Sequence, residues 1–181
     1  MERNLTLIAL FAALIAALGL IPKITLGFGV PITAQSLGIM LCGTVLGSRK
    51  GALSVLLFLL LVALGLPLLS GGRGGLGLFA SPTAGFLVGF PVAAFVTGWI
   101  VEHWRNAPLG LVAGCAAAIG GILVLYIFGV AGMAIVLGKT PLEALALVTA
   151  FIPGDVLKAA IAGMVTAALA KARPASVLSR A

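Results

Sequence analysis

Two residues of opposite charge interrupt an apolar stretch near the end of the sequence. Asp155 and Lys158 follow Pro153-Gly154, and almost all of their other neighbours are apolar. An ionisable side chain inside a membrane span costs roughly 2.5 to 3.5 kcal/mol, so it usually faces a cavity or a partner and marks a functional site. A spacing of three places both side chains on one helical face, where they can neutralise each other or share a ligand. The alternative is a structural ion pair that closes a helix bundle and binds nothing.

The composition indicates that these charges lie in a membrane protein. The 181 residues are 62% hydrophobic and 8% charged, with a mean hydropathy of +1.30. A water-soluble domain of this length would then expose a large apolar patch. Long continuous apolar segments favour membrane-spanning helices over a barrel. We therefore expect an all-α membrane protein, with residues 1–181 forming one polytopic domain.

Prolines, glycines and charged turns divide the chain into six predicted transmembrane helices. The predicted spans are 5–21, 32–46, 52–66, 83–101, 109–128 and 153–170. Residues 22–31 begin and end with proline, and apolar and other residues alternate between the two prolines. This pattern predicts an extended loop. Thr140-Pro141-Leu142-Glu143 has the pattern of a capping box and predicts a short helix over 140–151, lying across the bundle as a cover. Because Pro153 then interrupts the helical hydrogen bonds, Asp155 is expected in the first turn of the last helix.

A loop over residues 70–82 contains five glycines within seven residues and is not expected to be helical. It lacks the Gly-Lys-Ser/Thr of a phosphate-binding loop. Its bare backbone would let a ligand or a neighbouring helix come close, and Arg73 at its centre is either a solvated charge or an attraction for an anionic ligand. Gln35 lies in the first turns of the second predicted span, where its amide could bond to backbone or to a neighbouring helix.

Small residues line one face of the first span. Ala9, Ala13 and Ala17 are spaced four apart, which allows close helix packing in lipid. A seam inside the bundle and a docking face for another subunit are both compatible with this pattern.

Cys42 and Cys115 match no metal or redox spacing and are interpreted as small core residues. No second ligand stands near His103, so no metal site is expected.

The net charge of +7 does not indicate nucleic-acid binding, because the basic residues stand at the ends of apolar segments. Trp99, His103, Trp104 and Arg105 form a predicted interface belt. Six spans place unequal numbers of cations on the two sides of the membrane. The side with more cations is expected to be cytoplasmic, and both termini lie on that side. That side holds Arg3, Arg49, Lys50, Arg105, Lys171, Arg173 and Arg180, and the other side holds Lys23, Arg73 and Lys139. The glycine loop and Asp155 would then meet on the outer face, as a pocket open to the exterior requires.

At these residues the sequence resembles the BioY family, the biotin-specific substrate-binding S components of energy-coupling-factor (ECF) vitamin transporters. The resemblance covers nearly the whole chain and rests on four segments: residues 31–36, residues 66–67 with the loop 71–82, residues 82–90, and residues 151–159. Some positions depart from the family pattern. Ser81 and Ala84 stand where glycine is frequent, and Phe86 stands where tyrosine is frequent, so position 86 lacks a hydroxyl for a ligand.

The resemblance implies a six-helix S component in the prokaryotic cytoplasmic membrane that binds biotin from outside. A lysine can pair with the biotin carboxylate and an aspartate can accept from the ureido group, while glycines and phenylalanines surround the rest. The implied contacts are Asp155, Lys158, Gln35, Arg73, Gly74, Gly75, Phe79 and Phe86. Ala9, Ala13 and Ala17 would dock on a transmembrane coupling subunit that carries two ATPases. The chain itself would hold no cofactor and hydrolyse no ATP.

Other classes of function remain open on the sequence. A gradient-driven small-molecule transporter is the main alternative, although such transporters usually carry broken helices in both halves and this sequence has one broken region. A noncatalytic membrane scaffold is another. An intramembrane enzyme is disfavoured, because no nucleophile stands in a recognisable setting beside the acid.

Overall fold

The computed structural model describes residues 2–25 and 30–180, which form a bundle of helices. In chain order these are α1 (Glu2–Leu18), α2 (Gln35–Leu46), α3 (Ser48–Ala63), α4 (Ala84–His103), α5 (Leu109–Ala118), α6 (Leu125–Leu137), α7 (Pro141–Val148) and α8 (Ile152–Ala172). A π-helical segment, Ile119–Val124, joins α5 to α6, and a 3-10 turn, Thr149–Phe151, joins α7 to α8. The described residues therefore make six helical rods, which confirms the predicted all-α, six-helix architecture.

Among the described residues, three rods are long and apolar enough to cross a bilayer: Ala84–His103, Leu109–Leu137 and Pro141–Ala172, with 20, 29 and 32 residues. A span needs about 20 apolar residues. The surface of the bundle carries large apolar side chains, and Leu60 and Ile135 are 56% and 81% exposed. An apolar exterior of this kind belongs in lipid. The chain is a membrane protein.

The rod formed by α5 and α6 is longer than predicted. It continues beyond position 128 to Leu137, where Gly138 adopts φ +63° and stops the helix in the left-handed region. Close packing on α4 supports the extra turns. A Cβ on Gly132 would meet the backbone of Gly85, and one on Gly129 would meet the ring of Phe86. These glycines let α4 and α6 cross at backbone contact and leave room for the Phe86 ring.

The start of α2 also differs from the prediction. Positions 32–34 were expected to be helical, but Pro31–Ile32 forms strand β2, paired antiparallel with β1, Ile24–Thr25. The helix begins at Gln35, after the proline has fixed an extended backbone. The predicted extended loop is confirmed at these two strands, and its positions 26–29 lie outside the described residues.

Helix α3 starts earlier than the predicted span 52–66. Ser48 is the first residue of α3, so positions 48–50 form the first turn of the helix. The charged turn that the sequence predicted between the second and third spans is therefore helical. The preceding residue, Gly47, has no side chain to cap that turn, and Glu102 does so instead: its carboxylate accepts from the Ser48 amide at 2.7 Å and from the Ser48 hydroxyl at 2.8 Å. A side chain of α4 thereby stabilises the start of α3.

The segment before α8 follows the predicted capping box. The Thr140 hydroxyl accepts from the Glu143 amide at 3.3 Å, and the Glu143 carboxylate accepts from the Thr140 amide at 2.8 Å. Pro153 tightens the helix into a 3-10 turn instead of breaking the rod, and α8 begins one residue before it. Ala144 and Val148 of α7 are fully buried, so one face of α7 packs on the core.

The cysteines divide between core and surface. Cys42 on α2 is fully buried, as predicted. Cys115 on α5 is exposed, so its assignment to the core is wrong. The reason is rotational: its neighbours Ala113, Ala116 and Ala117 take the inward positions of α5 and turn residue 115 outward.

Candidate functional site

A cavity lies where the starts of α2, α4 and α8 meet the rod formed by α5 and α6. Half of its wall is polar and half is apolar. The polar residues are Thr33, Gln35, Ser36, Arg73, Thr83, Tyr126, Asp155 and Lys158, and the apolar residues are Val30, Ile32, Leu69, Phe86, Leu87, Phe90, Leu125 and Phe151. A wall that combines apolar surface with convergent polar groups is typical of a small-molecule site.

The predicted ion pair forms one corner of this cavity. Lys158 Nζ lies 2.8 Å from Asp155 Oδ1, with the two side chains 15% and 8% exposed. Ser36 of α2 joins them: its hydroxyl accepts from Lys158 at 2.9 Å and lies 3.2 Å from Asp155 Oδ1, to which it can donate. Asp155 lies in the first turn of α8, as predicted, where the helix dipole favours a carboxylate. The pair faces the bundle interior and the cavity rather than lipid.

Tyr126 completes this corner and was not predicted as a site residue. Its hydroxyl donates to Asp155 Oδ2 at 2.7 Å across 29 positions of sequence. It is the only tyrosine of the chain and stands in an apolar segment, which is the signal that could have identified it. A buried tyrosine usually needs a hydrogen-bond partner. The contact depends on the α6–α8 arrangement, which spacing alone does not reveal.

Gln35 lines the cavity, but its amide is occupied by backbone. Its NH₂ group donates to the carbonyls of Ile15 and Leu68 at 3.1 and 3.0 Å, and its oxygen accepts from the Ser70 amide at 2.9 Å. Only 2% of the residue is exposed. Gln35 thus ties α1, α2 and the glycine loop together, and both of its N–H donors are already used.

Arg73 reaches the cavity from the glycine loop. Its Nε donates to the Ser70 carbonyl at 3.3 Å, and an NH₂ group lies 3.5 Å from the Thr83 hydroxyl. Burial lowers the pKa of the Arg73 guanidinium, but an arginine remains charged in a protein. Within the described chain no carboxylate pairs with it, since the ion pair of the described residues joins Asp155 and Lys158. The charged wall residues therefore sum to +1.

Aromatic rings form much of the apolar wall. Phe86 and Phe151 contact each other edge to face, with centroids 6.0 Å apart and planes at 87°. Phe90 lies one turn further along α4 and also faces the cavity. The sequence predicted Phe86 as a ligand contact, and the structure places this residue in the cavity wall.

Three other predicted contacts lie outside the cavity wall formed by the described residues: Gly74, Gly75 and Phe79. A Cβ on Gly74 would meet the Leu66 carbonyl, so its bare backbone approaches the end of α3. Gly75 adopts φ +95°, which favours glycine. Phe79 lies in a 3-10 helix, Leu76–Ala80, in the loop predicted to be non-helical. The helix propensities of leucine, phenylalanine and alanine in this five-residue segment outweigh the low propensity of its one glycine.

The alanine line of α1 lies on the outside of the bundle. Ala9, Ala13 and Ala17 are exposed, whereas Ala12 is buried and Ala16 is partly buried. The inward face of α1 is therefore the one that carries Ala12 and Ile15, and the line of three alanines is not an internal seam.

The cavity is narrow as it stands. Its walls and mouth enclose about 570 Å³ of empty space, but the centre of a water molecule can occupy only about 60 Å³ of it. One water needs about 10 to 15 Å³ on that measure. The cavity in this conformation therefore has room for a few water molecules.

The sequence of the chain is similar to a known protein family. The model of the BioY family matches residues 2–175. The chain belongs to the BioY family. This BioY chain is 55% identical to the biotin transporter BioY of Rhodobacter capsulatus over 189 aligned residues, covering 99% of this chain and 100% of that relative. It is 59% identical to the biotin transporter BioY of Rhizobium etli over 168 residues, covering 90% of each.

A solved structure is also similar to this BioY chain. The crystal structure of the S-component for biotin from an ECF-type ABC transporter superposes with a TM-score of 0.89 at 31% identity, covering 94% of this chain and 92% of that one. The family resemblance and the S-component fold predicted from the sequence are confirmed.

Proposed function

We propose that this chain binds biotin as the substrate-binding S component of an ATP-driven ECF uptake transporter. Family membership, the names of the relatives and the structural neighbour support this function. The observation that carries it is the cavity itself: two cations and one carboxylate on a wall whose other half is apolar. Biotin has a matching composition, with one carboxylate, a polar ureido group and an apolar ring and chain.

The carboxylate of biotin meets Arg73 in this proposal. The family resemblance offered Lys158 as a possible partner for that carboxylate and left the choice open, but the charge of Lys158 is already offset by Asp155 at 2.8 Å. Arg73 is the cation of the wall without a carboxylate partner among the described residues. A guanidinium can bind a carboxylate through two parallel hydrogen bonds. One anionic ligand then neutralises the +1 charge of the wall.

The ureido group meets the corner formed by Asp155 and Lys158. A carboxylate has about four acceptor positions, and Ser36, Tyr126 and Lys158 use three on Asp155. One position remains for a ureido N–H. The Lys158 ammonium has three donors and uses two of them, so its third can reach the ureido carbonyl. The thioether ring and the chain lie against Phe86, Phe90 and Phe151.

Binding requires the walls to separate. A bicyclic ligand with an acyl chain does not fit a space that holds a few waters. The loop that carries Arg73 is mostly exposed between Gly71 and Ala80. Exposed segments of this kind open at a lower free-energy cost than buried helices. We propose that this loop moves outward to admit biotin and then returns.

The cavity opens to the exterior of the cytoplasmic membrane in this proposal. The opposite end of the bundle carries Arg49, Lys50 and Arg105, and the positive-inside rule places that end in the cytoplasm with both termini. The chain acts as one polytopic domain. It is a binding subunit and not an enzyme.

Energy comes from partner subunits. We infer that a transmembrane coupling subunit docks on the exposed face of Ala9, Ala13 and Ala17, where small side chains permit close helix contact in lipid. Two ABC-type ATPases bound to that subunit hydrolyse ATP. This chain needs no cofactor and no metal of its own.

Titration of the purified chain with biotin tests the proposal. Binding at submicromolar concentration, about −8 kcal/mol or better, is expected in detergent without ATP or any partner. A chain that retains no biotin contradicts the binding function. Uptake in cells that collapses with an uncoupler but persists after ATP depletion would instead show a gradient-driven transporter.

A further inference from the structure

A second polar groove lies at the opposite end of the bundle from the biotin cavity. The start of α3 and the end of α4 form its walls, with Arg49 and Lys50 on one side and Phe95, Trp99 and His103 on the other. It offers about 560 Å³ to the centres of water molecules. This is several times the space in the cavity around Asp155, and the groove is open to its surroundings.

The groove carries a net positive charge, because Arg49, Lys50 and the carboxylate of Glu102 sum to +1. The side chains of Arg49 and Lys50 have no hydrogen bond or ion pair with another described residue. Glu102 is the acid among the lining residues, and both of its oxygens already accept from Ser48. The net positive charge and the free donors of these two side chains thus favour an anion beside Arg49 and Lys50.

The other side of the groove is aromatic. Trp99 and Phe95 lie four apart on α4 and are 50% and 42% exposed. The Trp99 ring packs against His103 with centroids 4.7 Å apart. An exposed tryptophan beside cations is typical of the headgroup level of a membrane. Phe95 lies one helical turn further from that end, which places an apolar strip below the charged part of the groove.

We propose that this groove binds an anionic phospholipid. The phosphate lies beside Arg49 and Lys50, Trp99 contacts the glycerol region, and one acyl chain runs along Phe95. A free phosphate ion would satisfy the cations but leave the aromatic side uncovered. A lipid satisfies both, because it carries an anion and an apolar chain in one molecule.

Quenching of tryptophan fluorescence by brominated lipids tests this binding site. The chain has two tryptophans, so Trp104→Phe leaves Trp99 as the reporter. The substitution also keeps the backbone carbonyl of residue 104 that accepts from Arg180. In vesicles mixing phosphatidylcholine with phosphatidylglycerol, bromine is placed on one lipid at a time. We expect the anionic lipid to bind beside Trp99 about fivefold or more in preference to the zwitterionic one.

The double substitution Arg49→Gln/Lys50→Gln in the same background should reduce this preference to near unity. Lys171→Gln is the matched control, because Lys171 is an exposed cation in the last turn of α8 and does not line the groove. It should leave the preference unchanged. The exchange Arg49→Lys/Lys50→Arg keeps both charges and should retain the preference, which covers the case in which the neutral variant folds poorly.

Equal quenching by the two lipids around Trp99, or a preference that survives the loss of both cations, would overturn the proposal. Inorganic phosphate, added at constant ionic strength, distinguishes a soluble anion from a lipid. If phosphate abolishes the preference and chloride does not, the two cations alone hold the anion, and the proposed contacts of a whole lipid with Trp99 and Phe95 are wrong.

Discussion

The hydroxyl of Tyr126 donates to Oδ2 of Asp155, the carboxylate oxygen that Lys158 does not contact. Lys158 and Ser36 meet the other oxygen, Oδ1, at 2.8 and 3.2 Å. The carboxylate is therefore held from three helices, α2, α6 and α8, and its orientation is set before any ligand arrives. Such preorganisation lowers the cost of binding, because the polar groups need no reordering.

Removing this hydroxyl should weaken biotin binding. Tyr126→Phe keeps the ring but deletes a charge-assisted hydrogen bond, whose loss typically costs about 1.5 to 3 kcal/mol. We expect affinity to fall about tenfold, measured by isothermal titration calorimetry on the purified chain. Thr149→Val is the control, since that hydroxyl bonds the Ala146 carbonyl and is exposed. Unchanged affinity in Tyr126→Phe would mean that Asp155 is oriented without it.

Asp155 and Lys158 can be tested as ligand contacts against the alternative of a purely structural ion pair. Asp155→Asn and Lys158→Met should each weaken biotin binding at least tenfold, or more than about 1.4 kcal/mol. Each should also lower the thermal unfolding midpoint, because a buried charge left without its partner is destabilising by about 3 to 5 kcal/mol.

The double variant Asp155→Asn/Lys158→Met separates the two roles. Without either charge, no unpaired ion remains, and the unfolding midpoint should recover most of its loss. Biotin binding should stay weak. If affinity returns together with stability, the pair only closes the bundle and the ligand lies elsewhere.

Arg73 should recognise the ligand carboxylate. Biotin and its neutral methyl ester differ in that charge, so the wild-type chain should bind the acid more tightly by about tenfold or more. Arg73→Gln should reduce this difference to a small factor while affecting the ester much less. Lys139→Gln is a matched control, an exposed cation outside the cavity wall. A preference for the acid that disappears only in Lys158→Met would transfer the role to Lys158.

The outward alanine face of α1 should govern coupling and not binding. Ala13→Leu adds a bulky side chain at an exposed position, where it obstructs close helix contact. Biotin affinity of the isolated chain should be unchanged, whereas ATP-dependent uptake by the assembled transporter should fall several-fold. Ala168→Leu makes the same change on the exposed surface of α8 and should leave uptake intact. Normal uptake in Ala13→Leu would exclude this face as the docking surface.

Much of the architecture follows from local sequence. Apolar length, prolines and glycines predicted six helices, and the box at Thr140 and Glu143 predicted where α7 begins. The spacing of Asp155 and Lys158 predicted their contact, because residues three apart on a helix are neighbours whatever surrounds them. These features depend on the chain within a few residues of each position.

Tertiary structure decided which polar groups face which. The sequence identified Gln35 as a polar residue in a span, but only the approach of α1 and the glycine loop shows that backbone occupies its amide. Likewise Tyr126 of α6 reaches Asp155 of α8 across 29 positions of sequence, through the placement of these two helices in the bundle. In lipid the hydrophobic effect does not select one helix neighbour over another, so close packing and long-range hydrogen bonds make that choice. Neither can be read from residues adjacent in the chain.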